Sequence, residues 1–274
     1  MGASLNHAVR DPGDLPTCVA KWRLGPLTPF ELGQIVGAGV LAGAMNAVLG
    51  GGSFVTLPAL MHVGVAAVVA NATSSFALTP GTAASAWAYR RELPPWRTPL
   101  AALGAASVVG GGLGAWLLLV TPEALFLALV PPLLLGATLL LTFAPRLRRK
   151  DAVHDRPALA AALQLGISVY GGYYGGGMGI LMLAAMTLTT SLGPHEQNAL
   201  RCLLAVLING VALTVFILGG RIGWPSAGAL TLGAILGGYF GARYARRLPA
   251  RLLRRIVLVL AWLITAVFWL RLLH

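Results

Sequence analysis

Hydrophobic residues run along this chain in eight long segments, at about 31–61, 64–89, 98–120, 123–143, 158–190, 196–219, 225–245 and 252–273, separated by short polar stretches. A helix needs about 20 apolar residues to cross a hydrocarbon core of about 30 Å, so the pattern predicts a polytopic α-helical membrane protein. The first segment of each half is too long for one crossing, because about 31 residues rising 1.5 Å each make roughly 46 Å. Each carries a glycine run near its middle, Gly50-Gly51-Gly52 and Gly175-Gly176-Gly177. Two helices joined at the glycines fit such a segment better than one tilted helix.

The segments divide four plus four, and the halves align at an offset near 127. The glycine runs correspond, with a slightly smaller offset. So do Asn71-Ala72 and Asn198-Ala199, Trp96 and Trp224, Gly111-x-x-Gly114-Ala115 and Gly238-x-x-Gly241-Ala242, and Pro122 and Pro249. Five anchors in one order indicate a duplication. The chain thus reads as a polar tail over 1–30, a first membrane repeat over 31–145, a basic linker over 146–157 and a second repeat over 158–274. Gly110-x-x-x-Gly114 and Gly233-x-x-x-Gly237-x-x-x-Gly241 place glycines on one helix face, where backbones can approach closely.

Composition agrees with the membrane reading. Residues are 57% hydrophobic and only 10% charged, against about 25% charged in a soluble domain. The net charge of +12 does not imply nucleic acid, because the basic residues cluster in short loops between apolar segments. Those loops set the topology. If every segment crossed once, the Arg246/Arg247/Arg251/Arg254/Arg255 loop would face away from the Arg90/Arg91/Arg97 and Arg146/Arg148/Arg149/Lys150 loops, against the positive-inside tendency. If each first segment is instead a hairpin that returns to its starting side, three crossings remain per half and the second repeat is inverted. Fourteen of the twenty Lys and Arg, counting Arg156 and Arg243, then lie on the cytoplasmic side of the plasma membrane, and both termini lie outside. The expected fold is therefore two inverted repeats, each a broken-helix hairpin plus three transmembrane helices. Association with further copies of the chain is compatible with this arrangement.

No secretory signal is evident in the proline-containing N-terminal tail. Cys18 and Cys202 form no framework, and Cys202 reads as a small packing residue. The sequon at Asn71 lies in an apolar stretch and reads as structural or functional. The five histidines, His7, His62, His154, His195 and His274, fall in the tail, in loops or at segment ends. No histidine base is therefore positioned for a serine nucleophile at Ser53, and no Cys/His spacing suggests a metal. No cofactor or enzymatic activity is expected.

Broken helices in inverted repeats commonly meet near the midplane, where a ligand satisfies the freed backbone groups. A half-helix N-terminus suits an anion. Gly51, Gly52 and Ser53 at the first break and Gly176 and Gly177 at the second are candidates, with close packing as the alternative. Asn71 and Asn198 recur at matching places, with helix capping as their alternative. Ser74 and its neighbours Thr73 and Ser75 either face a ligand or bond back to helix carbonyls. Asn46 and Asn209 are weaker candidates. Arg201 stands where the first repeat has Ser74. An arginine inside the membrane costs at least about 2.5 kcal/mol and usually marks function, whereas one near a helix end can snorkel. Its guanidinium matches an oxyanion through paired hydrogen bonds. The acidic residues sit in the tail, in loops or at segment ends, so no membrane carboxylate pair is expected to bind a cation.

The stretches "LAGAMNAVLGGGSFVTLPAL", "VVANATSSFALTPGTAASAWAYRREL", "YGGYYGGGMGILMLAAM" and "NALRCLLAVLINGVA" resemble the TauE/SafE family of sulfite-exporter-like membrane proteins over roughly residues 33–272. The resemblance implies transport of a small anion such as sulfite or an organosulfonate. In that family the second half often carries lysine where this chain has Arg201. The alternatives are transport of another small solute on the same scaffold, or a membrane receptor that senses without transporting.

Overall fold

The computed structural model describes residues 27–49, 51–94, 98–143, 155–245 and 250–273. Among them are ten α-helices and no strand: α1 Pro29–Leu49, α2 Ser53–His62, α3 Ala67–Ala88, α4 Thr98–Val120, α5 Glu123–Phe143, α6 Pro157–Tyr173, α7 Met178–Thr189, α8 Pro194–Leu218, α9 Trp224–Ala245 and α10 Ala250–Leu273. Gly50, Trp96, Pro249, the basic residues at 97, 146–150 and 246–247, and the tail up to residue 26 lie outside the described residues.

Local chemistry sets several helix starts. At α1 the Thr28 N–H and hydroxyl donate to the Glu31 carboxylate, both at 2.8 Å, and the Glu31 N–H donates back to the Thr28 hydroxyl. This reciprocal arrangement satisfies donors that a helix start leaves open. Proline opens α6 and α8, where its missing N–H is not needed. At α8 the Gly193 N–H donates to Glu196 at 2.8 Å. The start of α3 is capped from a distance: the Ala67 and Val68 N–H groups both donate to the Glu123 carboxylate at the head of α5.

Both first segments break at the glycines and reverse. Gly52 returns to α1, where a side chain on it would lie 2.8 Å from the Ala42 carbonyl. In the second half the Arg156 N–H donates to the Thr189 carbonyl at 3.0 Å, so the start of α6 meets the end of α7. The breaks fall late in their segments. The arms have 21 and 10 residues in the first half and 17 and 12 in the second.

Helix packing pairs the two halves. α1 packs along α9 and α6 along α4, while α3 packs on α9 and α8 on α4. α2 touches α3 and α10, and α7 touches α8 and α5. α3 meets α8 and α5 meets α10. Exchanging each helix for its counterpart five places along leaves this set of contacts unchanged. The glycine faces make the long pairings possible. A Cβ on Gly39 or Gly43 would lie 2.5 or 2.1 Å from the Leu230 or Ala234 carbonyl, and one on Gly233 or Gly237 would lie 2.3 or 1.9 Å from the Val36 or Val40 carbonyl. Gly114 and Gly172 bring α4 and α6 equally close. Only glycine permits such approach.

The outer surface is apolar. α4 exposes Val109, Leu113, Trp116 and Val120, and α9 exposes Leu232, Ile235, Leu236, Tyr239 and Phe240. Both sets recur at helical spacing, forming faces that water would not tolerate and lipid would cover. Leu100–Val120 and His195–Leu218 are each long and apolar enough to cross a membrane, and three shorter apolar helices accompany them.

Candidate functional site

The second break is built by five tyrosine and glycine positions before α7: Tyr170, Tyr174, Gly175, Gly176 and Gly177. Gly175 and Gly177 have φ of +79° and +75°, in the left-handed region that side chains disfavour. The Tyr174 and Gly175 N–H groups both donate to the Tyr170 carbonyl, ending α6, and the Tyr170 hydroxyl donates to the Gly176 carbonyl at 2.6 Å. At the head of α7, Met178 donates to the Gly175 carbonyl, while Ile180 and Leu181 donate to that of Gly177. Among the described residues no hydrogen bond takes up the N–H of Gly176, Gly177 or Gly179. Free N–H groups beside left-handed glycines at a helix start form a concavity suited to anions.

Arg201 faces this helix start. It is half-buried, on the third turn of α8, and its Nη1 lies 2.7 Å from where a Gly179 Cβ would stand. Asn198 orients it: the Asn198 Oδ1 accepts from Arg201 Nε at 3.1 Å and Nη2 at 2.9 Å. A neutral acceptor holds the guanidinium without cancelling its charge. Glu196, the nearest acid in sequence, is engaged with Gly193 instead.

The first break is different chemistry on a similar trace. Gly52 has helical angles (φ −57°, ψ −33°), so space rather than conformation calls for glycine there, between the Ala42 carbonyl and Leu78. Gly51 is buried and Ser53, half-buried, begins α2. Ser74 is buried and its hydroxyl is hydrogen-bonded to that of Thr56 on α2, which also donates to the Gly52 carbonyl. The Thr73 hydroxyl accepts from the Gly223 N–H at 3.0 Å, while Thr79, Thr82 and Ser85 bond back to carbonyls of their own helix.

Asn71 ties α3 to the other repeat. It sits in the second turn of α3, not at its cap, and its Nδ2 donates to the Tyr173 carbonyl at 2.9 Å. Its Oδ1 is buried with no partner among the described residues. Asn198 likewise lies inside α8 and pairs with Arg201 rather than capping. Along α3 the second break lies at the level of Asn71 and the first at that of Leu78. Seven residues at 1.5 Å each place the two breaks about 10 Å apart along this helix. The sequence-derived residues thus form two groups, Gly51, Gly52, Ser53 and Ser74 in one, and Gly176, Gly177, Asn198 and Arg201 in the other. Asn71 touches the backbone beside the second group. A separate cavity of about 270 Å³ lies where Val68, Thr121, Glu123 and Arg221 meet.

The chain matches the sulfite exporter TauE/SafE family over residues 35–268. It belongs to that family. Related TauE/SafE-like proteins include a "Probable membrane transporter protein" of Haemophilus influenzae, 25% identical over 83% of this chain and 90% of the relative. A "Probable membrane transporter protein YfcA" of Escherichia coli K12 is 26% identical over 88% of this chain and 90% of its own. A third, "Probable membrane transporter protein ORF9" of a Sinorhizobium species, is 25% identical over 82% of this chain and 87% of its own. No solved structure matches the chain at a significant level. The family and its relatives make this a membrane transporter rather than an enzyme.

Within this TauE/SafE chain, sequence reasoning did not single out Tyr170, Tyr173, Tyr174, Thr56, Gly179 or Glu123. One signal pointed to the tyrosines: three of the chain's six fall within 170–174, directly before the glycine run. Gly179 stood in the same run, two residues past Gly177.

Proposed function

We infer that the protein carries a small oxyanion, sulfite or an organosulfonate, across the plasma membrane, and that the direction is outward. The observation that carries this reading is Arg201, held by Asn198 against Gly179 in the first turn of α7, where the N–H groups of Gly179 and of the preceding Gly176 and Gly177 have no hydrogen-bond partner among the described residues. A guanidinium and a helix N-terminus come together there with no carboxylate among their hydrogen-bond partners in the described residues, which suits an anion and repels a cation. The family's description as sulfite exporters points to the same substrate class.

The two halves act as inverted repeats, so that α1–α2 and α6–α7 enter from opposite sides. Alternating access moves one half against the other around the anion. The exchangeable contact pattern of the helices supports this. The basic loops then face the cytoplasm, and both termini lie outside. An inside-negative potential favours exit of an anion by about 2.3 kcal/mol per charge per 100 mV, so export needs no coupling ion.

Proteoliposome flux tests the reading. Sulfite should move in wild-type vesicles. Arg201→Ala should lower affinity roughly 10- to 100-fold, the worth of a charge-assisted hydrogen bond, and Arg201→Lys should retain part of it. Unchanged affinity in the alanine variant would refute the assignment. Binding without flux would make the protein a sensor.

A further inference from the structure

Two hydroxyls at the second break, those of Tyr173 and Tyr174, are buried with no hydrogen-bond partner among the described residues; the Tyr173 ring packs edge-on against Phe126, whereas the Tyr174 ring lies over the loop that heads α7. Tyr174 is 1% exposed, and its hydroxyl has no hydrogen-bond partner among the described residues. Its neighbour in the ring cluster, Tyr170, spends its own hydroxyl on the Gly176 carbonyl. The Tyr174 ring folds over Gly176: a Cβ there would lie 2.5 Å from the ring edge and 3.2 Å from the carbon that bears the hydroxyl. Gly176 is therefore the residue that lets this phenol reach the loop heading α7. A buried hydroxyl left unpaired is costly, and a native protein that retains one commonly has a role for it.

We propose that Tyr174 is a substrate-binding residue, whose hydroxyl donates to the anion held by Arg201 and the start of α7. This rests on the oxyanion reading above and adds a donor to its site. Three kinds of donor then meet the ligand: the guanidinium of Arg201, the free N–H groups of Gly176, Gly177 and Gly179, and the phenol of Tyr174. They fit an anion with three terminal oxygens on one centre, which is the head of sulfite and of every organosulfonate. A phenol is the appropriate third donor in an apolar setting. It donates without adding charge, and its ring buries well when the site is empty.

Tyr174→Phe keeps the ring and removes only the hydroxyl. Dissociation constants for sulfite and for methanesulfonate, measured by titration calorimetry on the full-length detergent-solubilised protein, should rise about fivefold to tenfold for both ligands. The thermal midpoint of the ligand-free variant should not fall, since an unpaired buried hydroxyl has been removed. Affinity for both ligands within twofold of wild type, alongside loss of binding in Arg201→Ala, would overturn the role of Tyr174 and leave the oxyanion site standing. Sulfite affinity unchanged in both variants would overturn the site itself. Weakened binding of methanesulfonate alone would also overturn the three-oxygen assignment, because sulfite presents the same head. A second measurement avoids the substitution. With 3-fluorotyrosine at position 174 of the otherwise wild-type chain, sulfite should shift the fluorine resonance saturably, and a resonance that sulfite leaves unmoved would overturn the contact.

Discussion

The hydroxyls of Thr138 on α5 and Thr265 on α10 meet at 3.0 Å, and the two residues are 127 positions apart. That separation equals the offset at which the two halves of the sequence align. Equivalent residues of the two halves therefore touch one another, as they would on an axis of twofold pseudosymmetry. Oxidation of a Thr138→Cys/Thr265→Cys variant should link α5 to α10. After cleavage at a protease site placed between residues 146 and 150, the halves should stay together on a non-reducing gel and separate on reduction. Halves that part without reductant would show that α5 and α10 do not meet at this pair.

The orientation of Arg201 depends on a neutral acceptor, which gives Asn198 an informative pair of substitutions. Asn198→Ala should weaken anion binding modestly, roughly tenfold, because the guanidinium remains charged but loses its two bonds. Asn198→Asp should be worse than alanine, since a carboxylate would pair with Arg201 and compete with the substrate. Sulfite titrations on the two variants check the order. Asp binding better than Ala would contradict the proposed use of the charge.

Glycine substitutions should separate packing from substrate contact. Gly43→Ala and Gly237→Ala place a methyl within 2.1 and 1.9 Å of a carbonyl on the facing helix, so α1 and α9 must move apart. A loss of about 1–3 kcal/mol, or failure to fold, is expected from such overpacking. Gly37→Ala meets nothing within 4 Å and should be neutral or slightly stabilising. Gly179→Ala meets only the flexible end of Arg201, so stability should hold while anion affinity falls. Thermal unfolding combined with sulfite titration resolves the four cases.

Glu123 caps α3 from α5 and thereby fixes the connection between α2 and α3. Glu123→Ala should cost about 1 kcal/mol, the usual worth of a helix cap. The loss should be local, with faster amide exchange at Ala67 and Val68 than in wild type. Exchange unchanged there would mean that the cap contributes nothing.

Topology is open to direct test. Single cysteines placed at the two termini, in a background with Cys18 and Cys202 replaced, should both be labelled by an impermeant maleimide added to whole cells. A C-terminus reached only after permeabilisation would contradict the inverted hairpin arrangement.

The hairpins and the glycine crossings were legible in the sequence because each has a local cause. A segment too long to cross once must bend, and glycine at four-residue spacing marks where a second backbone approaches. The partners of polar side chains were not legible. Ser74 and Arg201 occupy the same place in the two halves and each faces the return arm of its own half, α2 or α7, yet one hydroxyl closes on Thr56 and the other side chain lies against Gly179. Nothing in the spacing around either residue says which group on that arm it will meet. Asn71 and Asn198 also match in sequence and differ in role, one joining the two halves and the other aiming a guanidinium. Matching positions in the two halves share a place in the fold but differ in their polar contacts. The tyrosines before Gly175 lacked a counterpart in the first half and were therefore not drawn out by the comparison of repeats.

The short return arms bear on how the protein is made. α2 has 10 residues and α7 has 12, so they reach only about 15 and 18 Å, well short of a hydrocarbon core. Neither can partition into lipid as an independent span. Each must enter as the back half of a unit whose front half, α1 or α6, goes in with it. The bond from Arg156 to the Thr189 carbonyl closes the mouth of the second unit. Biogenesis of this chain should therefore place each pair, α1 with α2 and α6 with α7, in the bilayer as one unit rather than as two successive spans.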